Sequence, residues 1–254
     1  MRGDIGKEVR KTMQLENLSY PEVESYLKEK DIILVPVGSV EQHSPYGLLG
    51  TDFITAEHIA RQTGEAMGIL VAPTLCYGVS PHHMAFAGTV TLSPDTLMAV
   101  VCDVARSLVA HGFRRILFVN GHGGNIAPIQ VALVRLKTEG TPGILQLISW
   151  YTLKGIGKIC TELYQDNDGK HATASEVAVT MSARPGLFIG KTTEPATVER
   201  IKFSWPLTAE EFRKTFPDGR MLSAPWLATE AHGRRIAEAA VTALVAEISS
   251  LLEV

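Results

Sequence analysis

The sequence predicts an α/β protein with a mostly parallel central sheet and helices on both faces, in a single domain spanning residues 1–254. Three observations lead there. Ile32-Ile-Leu-Val-Pro-Val37, within Asp31 to Ser39, is a continuous apolar run, the pattern of a strand buried on both faces rather than alternating toward water. Runs of this kind alternate along the chain with segments of helical periodicity, and such alternation builds parallel sheets through crossover helices. The 254 residues, 45% of them hydrophobic, suffice for one core of that architecture.

The elements follow in order. After the first strand, about Thr51 to Met67 turns helical, with Ile54, His58, Ile59 and Met67 among polar residues, and Ile69 to Leu75 resumes an extended apolar run. Ser93-Pro94-Asp95 supplies an N-cap, a proline at the first helical position and a first-turn acid, opening a helix that runs to Ala110 and stops near Gly112. Arg114 to Asn120 is a strand, followed by a glycine loop, a helix from about Ile126 to Thr138, and a strand from Ile144 to Trp150. His171-Ala-Thr-Ala-Ser-Glu176 reads as a loop entering a helix capped by Thr173 or Ser175. About Lys191 to Ala224 is Pro-rich and irregular, the character of an insert that covers a site, contacts another subunit or simply loops over the surface. A helix from Thr229 to about Leu252 closes the chain.

Charge and cysteine usage exclude several function classes. The net charge is −3 with no block of like charges, so neither a nucleic-acid track nor an anionic membrane surface is indicated. Small neutral or weakly polar substrates fit better. Three widely spaced cysteines, Cys76, Cys102 and Cys160, argue against a disulfide framework and point to a reducing cytoplasm. The first residues carry no apolar signal region, and no run of about 18 apolar residues occurs, so a soluble, cytoplasmic protein is expected.

Three short stretches carry chemistry, each placed just after a predicted strand or at a helix entry. Glu41 and His43 lie two apart, so extended backbone turns both to one side, where they can converge on a metal. Asp52, nine residues on, could fold back between two ions or merely sit in a first helical turn favoured by the dipole. In Asn120-Gly-His122-Gly-Gly-Asn125, Gly121, Gly123 and Gly124 allow close backbone approach to a ligand or positive φ, and the following helix presents free N–H groups to an anion. His122 between glycines gains nothing from burial and makes sense as a ligand, while the absence of G-x-G-x-x-G and of a P-loop Lys-Ser/Thr disfavours nucleotide binding. Glu176 suits a first helical turn, but His171 just ahead places an imidazole within reach of whatever Glu176 ligates. Carboxylates and imidazoles together are the ligands of zinc, manganese or iron(II) in hydrolytic sites.

Pro36-Val-Gly-Ser-Val-Glu41-Gln-His43, Gly50-Thr-Asp52, Asn120-Gly-His122-Gly-Gly-Asn125 and His171-x4-Glu176 together resemble the motif set of the creatininase family of metal-dependent amidohydrolases. Phe86-Ala-Gly-Thr-Val-Thr-Leu92 resembles that family's F-P-G-T-x-x-L stretch, with Ala87 in place of proline, and the similarity extends through Asp218-Gly-Arg220 to Ala228-Thr-Glu-x-His-Gly233. The resemblance implies a three-layer α/β/α sandwich with a binuclear metal centre at the C-terminal edge of the sheet, and often a homohexamer. It implies Glu41, His43, Asp52, His122 and Glu176 as ligands of two divalent ions (zinc, manganese or iron(II)), with Asp52 bridging. The two ions would share a hydroxide that attacks an amide carbonyl. His171 would pass a proton to the departing nitrogen, which makes it, with Glu176, the catalytic pair.

Departures from the family pattern bear on the substrate. The creatinine-hydrolysing member has Gly-His-Tyr-Glu-Asn where this chain has Gly121-His-Gly-Gly-Asn125. Gly124 cannot replace that glutamate as a ligand, and Glu176 is its expected replacement on the second ion. A tryptophan that precedes the histidine matching His171 is also missing from Gln165–Lys170. The expected activity is therefore hydrolysis of a C–N bond other than a peptide bond, in a cyclic amide that need not be creatinine. His83, Gly123, Gly124 and Trp150 are candidates to line the substrate pocket, although surface exposure of His83 and core packing of Trp150 are the common fates of such residues. The competing reading is a non-catalytic protein that holds a small anion at the glycine turn.

Overall fold

The computed structural model describes residues 13–188, 194–198 and 200–253. Four parallel strands make the sheet, in the order β2-β1-β3-β4: β1 Ile32–Val37, β2 Leu70–Val71, β3 Arg115–Asn120 and β4 Ile144–Ser149. β1 and β3 pair in register from Ile32–Arg115 to Val37–Asn120, so both strands end at the same level, and the loops that follow them emerge side by side. β2 is shorter than the predicted run because only Leu70 and Val71 keep ladder pairing, and Leu75 returns as a single bridge to Val37.

Burial on both faces follows from the strand sequences. Ile32 and Leu34 of β1 with Leu117 and Val119 of β3 face α2 Thr51–Met67, α5 Ile156–Tyr164, α6 Ala174–Ala183 and α8 Glu230–Leu252. Ile33, Val35 and Val37 with Ile116 and Phe118 face α1 Tyr20–Leu27, α3 Pro94–Ala110 and α4 Ile126–Thr138. The result is the three-layer α/β/α sandwich, with a continuous apolar strand because each side has its own helical layer.

Helix boundaries show their chemistry. Ser93 accepts a hydrogen bond from the Thr96 N–H at 3.1 Å and caps α3, whereas Gly68 ends α2 at φ +61°, a left-handed position that glycine occupies without strain. Of the stretch Lys191–Ala224, residues 191–193 and 199 lie outside the described residues, and the rest is less irregular than its prolines suggest. Within it, Thr208 and Glu211 form a capping box that opens α7 Ala209–Thr215. Among the described residues no helix is long and apolar enough to cross a membrane.

Candidate metal centre

The C-terminal ends of β1 and β3 and the entries of α2 and α6 meet at one buried cluster. Glu41 and His43 follow β1, Asp52 lies in the first turn of α2, His122 follows β3, and Glu176 is the third residue of α6. Glu41, His43, Asp52 and His122 are buried, with at most 6% of each exposed. Close approach of chain segments makes this possible. A side chain at Gly121 would meet the Asp52 carbonyl oxygen at 2.1 Å, and one at Gly124 would meet the Val79 carbonyl oxygen at 2.2 Å. Both glycines thus admit neighbouring backbone rather than ligand. A side chain at Gly123, by contrast, would meet only the Tyr151 hydroxyl, at 3.9 Å.

Hydrogen bonds to backbone fix how each imidazole presents itself. A carbonyl oxygen only accepts, so His43 donates from Nδ1 to the Glu41 carbonyl (3.1 Å) and turns Nε2 inward. His122 donates from Nε2 to the Val79 carbonyl (3.0 Å) and turns Nδ1 inward. The inward nitrogens face different oxygens of Asp52: His43 Nε2 lies 3.2 Å from Oδ1, and His122 Nδ1 lies 3.2 Å from Oδ2. Glu176 Oε1 lies 3.8 Å from His43 Nε2. Glu41 Oε1, His43 Nε2 and Asp52 Oδ2 have no hydrogen-bond partner although they are buried, an arrangement that would be costly unless cations occupy the gaps between them.

These spacings fit divalent ions. Ligand bonds of about 2.0–2.2 Å in a tetrahedron set neighbouring ligand atoms about 3.3–3.6 Å apart, close to the separations across Asp52. Glu41, Asp52 and His122 form one group of converging ligand atoms, and His43, His171 and Glu176 form another next to the second Asp52 oxygen. A third group, Glu41, His83 and His171, overlaps the first two.

Supporting residues hold these groups. Ser80 donates its hydroxyl to Glu41 Oε2 and sits 2.5 Å from the Ser39 hydroxyl. Thr91 accepts from the Ser80 N–H (2.8 Å) and Thr89 from the Gln42 N–H (3.1 Å), which explains the two threonines of the Phe86–Leu92 stretch. Thr173 is the N-cap of α6 and completes a capping box with Glu176, whose Oε1 accepts the Thr173 N–H at 2.5 Å. Glu176 thus fills its helix-capping role and also points at His43. Ala172, buried at φ +50°, turns the chain so that His171 on one side and Thr173 on the other both reach the site.

The electrostatics follow from burial and crowding. Burial, with Asp52 adding to it, pushes Glu41 up to about 7 against the pull of His122 and His43. Glu176 is likewise raised by burial to about 7. Burial opposes charge on the imidazoles, but the facing carboxylates outweigh it and raise His43 to about 10 and His122 to about 9. Burial works against Asp52 as well, yet the two imidazoles hold it well below the usual carboxylate range. His171 and His83 are pushed well down by burial and by neighbouring imidazoles.

One expectation changes. Trp150 is 1% exposed, donates its Nε1 hydrogen to Thr55 Oγ1 at 3.1 Å and packs with Ile59 and Ile236, so it is core and forms no pocket wall. Asn125, the N-cap of α4, makes no side-chain bond to that helix; its amide instead donates to the Gly38 carbonyl (2.9 Å) and accepts from the Val79 N–H (3.0 Å), tying the α4 entry to the β1 and Val79 loops. The insert, by contrast, does cover the site. Phe212 of α7 lies edge-on to His83 at 4.6 Å between ring centroids, and Ser223 donates to the His171 carbonyl at 2.7 Å. Phe212, Ser80 and Gln42 carry site functions that the motif spacing alone does not assign. The capping box before Phe212 was the signal for that helix.

The fold and the paired carboxylate–imidazole cluster define a metal-site α/β/α protein of hydrolase type. The creatininase model (creatinine amidohydrolase) matches residues 16–248, and the chain belongs to the creatininase family. Among curated relatives, the mycofactocin precursor peptide peptidase of Mycolicibacterium smegmatis is 39% identical over 115 residues, 43% of this chain and 46% of that protein. This chain therefore spans about half the length of such relatives. The creatinine amidohydrolase of Pseudomonas putida is 27% identical over 192 residues, 70% of this chain and 74% of the relative. A manganese creatininase and a zinc–zinc creatininase variant each superpose with a TM-score of 0.78 at 25% identity, covering 94% of this chain and 98% of theirs.

Proposed function

We propose that this protein is a metal-dependent amidohydrolase that cleaves a C–N bond other than a peptide bond in a small, cyclic amide. One observation carries the reading: the two oxygens of the buried Asp52 face two imidazole nitrogens, His43 Nε2 and His122 Nδ1, each turned inward because the other nitrogen of its ring donates to a backbone carbonyl, so that either could exchange its proton for a cation. Glu41, Asp52 and His122 would hold one divalent ion, and His43 with the Asp52 oxygen 3.2 Å from it and Glu176 3.8 Å from it would hold a second, zinc or manganese by analogy with the solved relatives. When bound, such ions supply Lewis acidity toward a carbonyl oxygen and make a water nucleophilic near neutral pH.

The remaining steps belong to the chain's own residues. His171, 3.5 Å from Glu41 through Nδ1, is placed to hold a proton and deliver it to the departing nitrogen. His83 is buried and stacks on His171 at 4.1 Å, so both imidazoles line the same small space under Phe212. Gly123 is exposed after β3, and a side chain there would meet only the Tyr151 hydroxyl, at 3.9 Å. Burial of the cluster excludes bulk water and keeps these contacts strong.

The family-type homohexamer and a cytoplasmic location belong to the same proposal, the latter consistent with three free cysteines. Light scattering would test the assembly. For the reaction, metal content is measured per chain in the wild type and in Asp52→Ala, and both are screened against cyclic amides and short peptides. About two ions per chain, loss of ions in the variant, and turnover of a cyclic amide are the expected results. No ion after incubation with zinc or manganese would overturn the proposal, and cleavage of peptides alone would move the substrate class to peptides.

A further inference from the structure

Gln42 sits between two metal-ligand candidates, yet its side chain turns away from them and reaches His83, His171 and Gly219. The orientation of its amide is fixed twice. The Ser44 N–H can only donate, and it lies 2.8 Å from Oε1, so that atom is the acceptor. The Gly219 carbonyl can only accept, and it lies 3.0 Å from Nε2, so that atom is the donor.

The histidine protonation follows from this orientation. His171 Nε2 lies 2.8 Å from the Gln42 backbone carbonyl and must carry a hydrogen, so the 2.9 Å approach of Gln42 Nε2 to the same nitrogen is contact rather than donation. The two amide hydrogens of Gln42 then go to the Gly219 carbonyl and to His83 Nδ1 at 3.0 Å. A neutral His83 that accepts at Nδ1 carries its hydrogen on Nε2. Both rings are therefore Nε2–H tautomers turned opposite ways. His171 shows a bare Nδ1 to Glu41 Oε1 at 3.5 Å, and His83 shows an Nε2–H to the same oxygen at 3.4 Å.

We propose that Gln42 is a positioning residue that divides labour between the two imidazoles, His171 accepting a proton and His83 donating a hydrogen bond to the substrate carbonyl oxygen. The inference rests on the amidohydrolase reading for its chemistry but not for its geometry. In the balanced step, a C–O bond forms and the C–N bond breaks. One proton passes from the attacking water to His171 Nδ1 and then to the leaving nitrogen, while His83 keeps its own. A consequence is that His83 cannot ligate a cation, so the group Glu41, His83 and His171 is not a third ion site.

The test is solid-state 15N NMR of the zinc-loaded, histidine-labelled protein, with signals assigned by their loss in His83→Gln and His171→Gln. The wild type should show Nε2 protonated in both rings and His83 not bonded to zinc. Gln42→Glu places an acceptor against His83 Nδ1. It should move the His83 proton to that nitrogen, leave the His171 signal in place, and lower kcat about 100-fold with little change in KM. Gly219→Ala is a second variant, because its side chain would meet Gln42 Oε1 at 1.9 Å and push the amide aside. It should also release His83 from its tautomer. A wild-type His83 protonated at Nδ1, or bonded to zinc, would overturn the proposal whether or not any amide is hydrolysed. A spectrum as expected with no amidase activity would fail the functional reading alone.

Discussion

Loading the site with metal should expel protons, and their number can be worked out from the cluster. Glu41 and Asp52 bring two buried carboxylates together beside Glu176, whose side chain is 18% exposed, and His43 and His122 face them. With no ion bound, protons are the only counter-cations available. His43 at about 10 and His122 at about 9 are then fully protonated at pH 7, and Glu41 and Glu176 at about 7 are each half protonated. The total is about three protons, which neutralises three carboxylates, as a buried cluster requires. Ligands bind metal only when deprotonated, so filling the site at pH 7 should release about three protons from side chains. At pH 9, His122 is half protonated and the carboxylates are bare, and the number should fall to about 1.5.

Calorimetric titration of zinc into chelator-stripped protein, in buffers of different ionisation enthalpy, reads this number directly. A water made acidic by the metal, with a pKa near 7, adds about half a proton at pH 7 and about one at pH 9, a rise that opposes the larger fall of about 1.5 from the side chains. The fall with pH therefore belongs to the side chains. Release of fewer than about one proton at pH 7, or a number that rises toward pH 9, would refute the reasoning. It would mean that the imidazoles are neutral beside ionised carboxylates and that burial outweighs the facing charges.

Two further outcomes follow from the same structure. The stripped protein should lose thermal stability as pH rises from about 7 to 10, because His43 and His122, raised by the facing carboxylates to about 10 and about 9, bind more protons folded than unfolded there, whereas below about 6.5 the depressed imidazoles of His83, His171 and His82 oppose the raised Glu41 and Glu176. Tm measured with and without zinc should diverge over that range, and a flat stripped profile would contradict the assignment. Gly233→Ala should destabilise by about 1–3 kcal/mol in urea denaturation, although alanine ordinarily favours a helix interior over glycine, because its side chain would lie 1.8 Å from the Ala178 carbonyl oxygen and force α8 away from α6. Stabilisation would show that the two helices separate without cost.

What could be read from the sequence and what could not divide along the range of the physics involved. The strand runs, the α3 cap at Ser93 and the α6 cap at Thr173 are local, set by the residue's own backbone and its next three neighbours, and they stand where expected. Glu41, His43 and His122 were legible for a related reason: polar groups that follow a doubly buried strand emerge at the sheet's edge whatever else the chain does. Side-chain direction past that edge depends on contacts distant in sequence. Trp150 ends its strand next to the site but turns into the core because Thr55, 95 residues earlier, accepts its N–H. Gly121 and Gly124 looked like room for a ligand, and instead they give room to the Asp52 and Val79 carbonyls. That exchange has a functional consequence. The Asp52 carbonyl packs against Gly121, one residue from His122, so the same close approach that docks α2 on the β3 loop brings the Asp52 carboxylate against the His122 ring. A side chain at Gly121 would leave every ligand in the sequence and still separate the two halves of the metal centre.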